Sequence, residues 1–171
     1  MLEPCLNLLR STARRLPPAA RPCHRQLYSN PFDNITFRGL GSLEELDMNK
    51  TYVTEIPVGL RGMGSLLRIN MRKCKLKAIP DWIGEIPKLE MLNVGENAID
   101  SVPASLGDAA SLKYLLVDGN AMLNELPDSL TKLQLIRVDI RKTSVPLDTS
   151  TVISLRSTCF SNNGWLKPEA L

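Results

Sequence analysis

Apolar residues recur along this chain with a long, even period. Leu43, Leu66, Leu89, Leu112 and Leu135 stand 23 residues apart. Each opens a run that is apolar at its first, fourth and sixth positions: Leu43, Leu46, Met48; Leu66, Ile69, Met71; Leu89, Leu92, Val94; Leu112, Leu115, Val117; Leu135, Val138, Ile140. The ninth position is Thr51, Cys74, Asn97, Asn120 or Thr143. An aliphatic–proline pair follows at Ile56-Pro57, Ile79-Pro80, Val102-Pro103 and Leu126-Pro127. The alternation at the head of each unit predicts a short strand with its apolar side inward. The polar ninth residue is expected to turn the chain and bond backbone groups of the neighbouring unit. The proline is expected to fix the backbone where the chain leaves the strand layer. A later apolar pair, such as Leu106 and Ala109 or Leu130 and Leu133, closes the convex side. A unit this short cannot bury its apolar face alone, so successive units must stack into a solenoid.

Leu-x-x-Leu-x-Leu-x-x-Asn, with its equivalents above, is the leucine-rich repeat pattern. The second half of the unit, Ile/Val/Leu-Pro-x-x-Leu/Ile-x-x-apolar, resembles the 23-residue intracellular class typified by Ras-group-related plant proteins and scaffold proteins of Ras signalling. The resemblance covers residues 35–146. It implies an α/β solenoid with a short parallel sheet on the concave face and turns or short helical segments on the convex face. It also implies a protein-binding role.

The pattern divides the chain into residues 1–27, a partial unit and N-terminal cap at 28–42, repeats at 43–146 and a C-terminal cap at 147–171. Phe37 and Leu40 occupy the closing positions of the partial unit. One residue is inserted around Ala121-Met122-Leu123, which predicts a local bulge on one rim with the stack unbroken. Val145-Pro146 arrives early and ends the pattern. Val152, Ile153, Leu155, Phe160 and Trp165 are the expected buried residues of the C-terminal cap.

Strand residues between the inward positions face the concave surface. Three columns result: Glu45, Arg68, Met91, Tyr114, Arg137; Asp47, Asn70, Asn93, Leu116, Asp139; and Asn49, Arg72, Gly95, Asp118, Arg141. They place Met91, Tyr114 and Leu116 centrally, with Arg68, Arg72, Arg137 and Arg141 on both sides. An apolar and aromatic centre ringed by arginine has the composition of a protein-binding hot spot. Five strands make a face only about 20 Å across, so a tight partner must also use the rims or caps.

Charge changes the picture at the N-terminus. Residues 1–27 hold five arginines and one glutamate; without them, 21 basic and 18 acidic residues become 16 and 17. Leu2, Leu6, Leu9, Ala13 and Leu16 form one apolar helical stripe, flanked by Arg10 and Arg14. The segment resembles a mitochondrial presequence: amphipathic, arginine-rich and poor in acid. Arg25-Gln26-Leu27 resembles a matrix-protease processing site, which implies a matrix destination. Chloroplast import and a cytoplasmic chain with a basic tail are the alternatives.

Composition narrows the chemistry. The single histidine, His24, and two of the four cysteines lie before residue 28. The rest of the chain offers no disulfide framework, no metal-ligand cluster and no imidazole for a catalytic triad. Cys74, within a short basic run, is expected to belong to the polar ladder. Gly59, Gly62 and Gly64 lack the lysine and hydroxyl of a phosphate loop. No apolar run reaches the roughly 20 residues of a membrane helix. The near-neutral repeats have no broad field to attract DNA. The expected function is non-catalytic and needs no cofactor: a protein-binding scaffold, assembly factor or accessory subunit of a mitochondrial complex. The alternatives are a cytoplasmic adaptor of the Ras-associated type and an RNA-contacting subunit of an organellar ribosome, with the four arginines and Tyr114 on the nucleic acid.

Overall fold

The structure, a computed structural model, describes residues 42–160. The leader 1–27, the partial unit with Phe37 and Leu40, and Trp165 lie outside the described residues, as does the side chain of Phe160. Five strands, β1 (Glu45–Asp47), β2 (Arg68–Asn70), β3 (Met91–Asn93), β4 (Tyr114–Leu116) and β5 (Arg137–Asp139), form one parallel sheet in chain order. The register follows the sequence period: Leu46 pairs with Ile69, Ile69 with Leu92, Leu92 with Leu115 and Leu115 with Val138. Each strand is three residues long, and its central residue is buried.

Opposite the sheet, four 3-10 segments (Val58–Leu60, Asp81–Glu85, Ala104–Asp108 and Asp128–Lys132) return the chain. Here the role expected of the proline is corrected. Pro57, Pro80, Pro103 and Pro127 directly precede these segments, well after the strands have ended. Their φ values of −60° to −71° suit the entry to a helical turn, where a missing N–H costs nothing. Leu60, Ile83, Leu106 and Leu130 point from these segments into the core, and Ala109 and Leu133 are buried beside them. Ser105 Oγ donates to the Asp81 carbonyl at 2.7 Å and Ser129 Oγ to that of Ala104 at 2.6 Å, tying successive convex segments together.

The ninth-position ladder forms as expected. Asn120 is fully buried; its Nδ2 donates to the carbonyls of Val94 and Val117, and its Oδ1 accepts from Ile99 N–H. Asn97 makes the equivalent bonds one repeat earlier, to Met71, Val94 and Leu76. Cys74 takes the same place, its Sγ 3.3 Å from the Met48 carbonyl, and burial pushes its thiol pKa up. That is an inert thiol in a structural position.

The sequence reading missed the residue before each rung. Lys50, Lys73, Glu96, Gly119 and Lys142, spaced by 23, all have positive φ, between 52° and 72°. The left-handed turn aims the ninth side chain back into the stack. Gly119 is the one residue of the five suited to it at no steric cost.

At the insertion the chain bulges: Met122 is 67% exposed while Leu123 is buried, and β4 and β5 keep their register. After β5, helix α1 (Ser150–Phe160) packs over the last coil, burying Val152 and Leu155. Thr149 Oγ1 accepts from Val152 N–H at its start. Ile153 is 55% exposed, contrary to the expectation that it is buried. It follows Val152 on the helix and is turned about 100° away.

Candidate functional site

The sheet period of two turns alternate strand residues outward, and the register stacks them into the first two columns read from the sequence. The third, Asn49, Arg72, Gly95, Asp118 and Arg141, was expected on the strands but lies two residues past their ends, kept in step by backbone bonds between successive turns. Met91 lies beside Tyr114, and Asn93 beside Leu116. On the other side Tyr114 adjoins Arg137, and Leu116 adjoins Asp139. Met91, Tyr114 and Leu116 are thus neighbours on β3 and β4. All three are half-buried, so side chains beside them already cover part of their surface.

The arginines are not a free positive ring. Arg68, second in its column, donates through Nε to its neighbour Glu45 at 2.7 Å. Arg72 reaches across a whole repeat and donates through both terminal nitrogens to Asp118, at 2.7 and 2.8 Å. It also pairs with Glu96. Its guanidinium pKa is raised, chiefly by the bonds to Asp118. The pair passes directly above Gly95: a Cβ there would lie 2.5 Å from an Arg72 nitrogen and 2.6 Å from an Asp118 oxygen. Arg141 donates to both Asp139 oxygens, at 2.9 and 2.8 Å. Arg137 is held more loosely, 3.9 Å from the same carboxylate.

Two carboxylates on the strand-flanking rims are also paired. Lys113 donates to Glu90 at 2.7 Å and lowers its pKa; Lys73, with Arg72, lowers that of Glu96. The sequence reading named the four arginines but missed Glu45, Asp118, Asp139 and Glu96 as their partners. For Glu45, Asp118 and Asp139 the signal was present as acids within the same three columns; Glu96 lies outside them, one residue after Gly95. Asn93 was also missed. Its Oδ1 accepts from Gly95 N–H at 3.2 Å, which leaves its Nδ2 with no partner among the described residues.

No group of three or more His, Cys, Asp and Glu is placed to hold a metal ion among the described residues. No helix there is long and apolar enough to cross a membrane.

No protein-family model matches the chain, and no curated protein matches it. Solved structures do. A leucine-rich repeat protein of Leptospira interrogans is 25% identical with a TM-score of 0.63, covering 69% of this chain and 30% of that one. The Arabidopsis receptor kinase HAESA, in complex with the peptide hormone IDA and the co-receptor SERK1, is 22% identical with a TM-score of 0.56, covering 67% of this chain and 20% of that one. A chain of the BIR3–SERK2 complex from Arabidopsis thaliana is 22% identical with a TM-score of 0.50, covering 75% of this chain and 72% of that one. This chain therefore spans under a third of the first two. With its parallel sheet, asparagine ladder and convex 3-10 segments, the protein folds as a leucine-rich repeat solenoid.

Proposed function

We propose that the protein is a non-catalytic binding module that holds another protein on its concave face and one rim. It would act as a scaffold, assembly factor or accessory subunit of a mitochondrial complex. The observation that carries the reading is the adjacency of Met91, Tyr114 and Leu116 on the outer side of β3 and β4. Those positions need no apolar residue for folding, because the core faces the other way. HAESA, which shares the fold, was solved with a peptide hormone bound, and this supports the class of role. The mitochondrial part rests on the amphipathic, arginine-rich segment 1–27. The RNA-contacting alternative loses weight, since each arginine it would use faces a carboxylate. The 23-residue period supports kinship with the Ras-associated class and leaves the cytoplasmic adaptor as the rival for location.

The test is affinity capture from mitochondrial extract with the wild-type chain and a Tyr114→Asp/Leu116→Asp variant of matched circular dichroism and Tm. The expected result is a specific set of proteins lost from the variant. Identical capture by both would refute the site. Imaging the tagged full chain beside one lacking residues 1–27 decides the location: organellar signal lost on truncation supports the leader, and unchanged cytoplasmic signal supports the adaptor.

A further inference from the structure

We propose that the segment held on this face is extended and carries no net charge, and that the protein reads its backbone carbonyls. An aliphatic or aromatic side chain of that segment seats on Met91, Tyr114 and Leu116. The inference rests on the concave face being the binding surface and adds the chemistry of what it accepts.

Charge sets the first constraint. The three columns hold four acids, Glu45, Asp47, Asp118 and Asp139, against four arginines, Arg68, Arg72, Arg137 and Arg141. Each arginine already has a carboxylate on the same face. An acidic segment would have to draw Arg72 from Asp118 or Arg141 from Asp139, leaving a buried carboxylate without its cation. A basic segment would strip Glu45, Asp118 or Asp139 in the same way. Asp47, at the β1 end and away from the apolar trio, has no cation among the described residues, and its oxygens accept from Asn49 N–H and Asn70 Nδ2. Breaking one partner from a desolvated pair costs more than a new surface contact returns. A neutral segment leaves the close pairs of Arg68, Arg72 and Arg141 intact.

The unspent polar groups set the second constraint. Asn93 Nδ2, beside Leu116, and the hydroxyl of Tyr114 itself have no partner among the described residues. Arg137 Nε, in register beside Tyr114, is buried with no acceptor. A buried donor left unmade is costly, and the loosely held Arg137 guanidinium can turn to satisfy it. Two donors and one hydroxyl, with no unspent carboxylate between them, call for neutral acceptors at short intervals. The carbonyls of an extended chain supply them. Three strands span about 10 Å, which matches roughly three residues of extended peptide.

The test begins with a library of random 12-residue peptides displayed on phage, selected against the purified full chain; enriched sequences are then synthesised. The expected consensus is an apolar anchor with uncharged neighbours. Its Kd should change by less than about threefold between roughly 50 and 500 mM NaCl, because no ion pairs form. Leu116→Asp should weaken it by about tenfold or more. So should Asn93→Asp, which keeps the acceptor for Gly95 N–H and removes the outward donor. An acidic or basic consensus, or a Kd that rises about tenfold with salt, overturns the neutral partner while leaving the face as the site. Enrichment unaffected by Leu116→Asp overturns both readings. Absence of any enriched peptide overturns the peptide inference alone, since the capture experiment above tests the face with folded partners. Full affinity in Asn93→Asp overturns carbonyl reading by Asn93.

Discussion

Arg72 and Asp118, 46 residues apart, form a bidentate ion pair that vaults one complete repeat, with only the missing side chain of Gly95 between them. The Asp118 side chain is 8% exposed and that of Arg72 29%, so the pair is screened less than an ordinary surface bridge. It ties the second coil to the fourth, which neighbouring-strand hydrogen bonds cannot do. Arg72→Ala and Asp118→Ala should each cost about 1.5–3 kcal/mol. A double-mutant cycle from urea melts should give a coupling of about 1 kcal/mol. Gly95→Ala should abolish the coupling by pushing the guanidinium aside. A coupling near zero in the wild-type background would show that the vault adds nothing.

The asparagine ladder should be unequal along its length. Asn120→Ala strands the Val117 carbonyl and the Ile99 N–H in a dry interior and takes one of two donors from the Val94 carbonyl, with an expected loss of about 3 kcal/mol. Thr143→Ala, in the last coil, removes one hydroxyl bond to the Ile140 carbonyl and a long one from Val145 N–H. Its loss should be about 1 kcal/mol. Equal losses in denaturant titration would mean that burial of the ladder is not what gives it strength.

The left-handed turns offer a stabilising substitution. Lys142 sits at φ 57° with no ion pair among the described residues. Lys142→Gly should raise stability by about 0.5–1 kcal/mol. Gly119→Ala should do the opposite: its φ is 72°, and the new Cβ would meet Glu96 Cγ at 2.9 Å. Thermal melts of the two variants should move in opposite directions.

Adjacent leucines on β4 separate folding from binding. Leu115 is fully buried, and Leu115→Ala should cost about 2–5 kcal/mol. Leu116 faces outward and is half-buried, so Leu116→Ala should cost about 1 kcal/mol or less. A large loss at Leu116 in urea melts would make it a core residue and remove it from the binding face.

Acid should weaken the fold through the rim carboxylates. Glu96 and Glu90 have folded pKa values below the ordinary 4.5, lowered chiefly by Lys73 and Lys113. A depressed carboxylate adds stability above its unfolded pKa, and that stability is lost as pH falls through the folded value. The urea midpoint should therefore drop from about pH 5 downward. Glu96→Gln should flatten that drop slightly, since exposure limits the effect. A midpoint that rose on acidification would contradict the sign.

Much of this architecture was legible from one number. A strict period of 23 dictates which residue stacks on which, so the strands, the inward leucines, the ladder and the three outward columns followed from spacing alone. Covalent spacing carries this because parallel strands in register repeat the chain's own interval. The turn before each rung was hidden because lysine and glutamate carry no sign of a positive φ; only Gly119 does. Ile153 was misread because a run of apolar letters in a cap does not say which side of the helix meets the last coil. Tertiary structure alone decided the character of the face. Whether Arg72 projects into solvent or crosses to Asp118 depends on side-chain reach and on the space above Gly95, quantities set by how coils pack. A face that read as an arginine ring has, once folded, a carboxylate beside every arginine, and what it leaves unspent around β3 and β4 is apolar surface and hydrogen-bond donors.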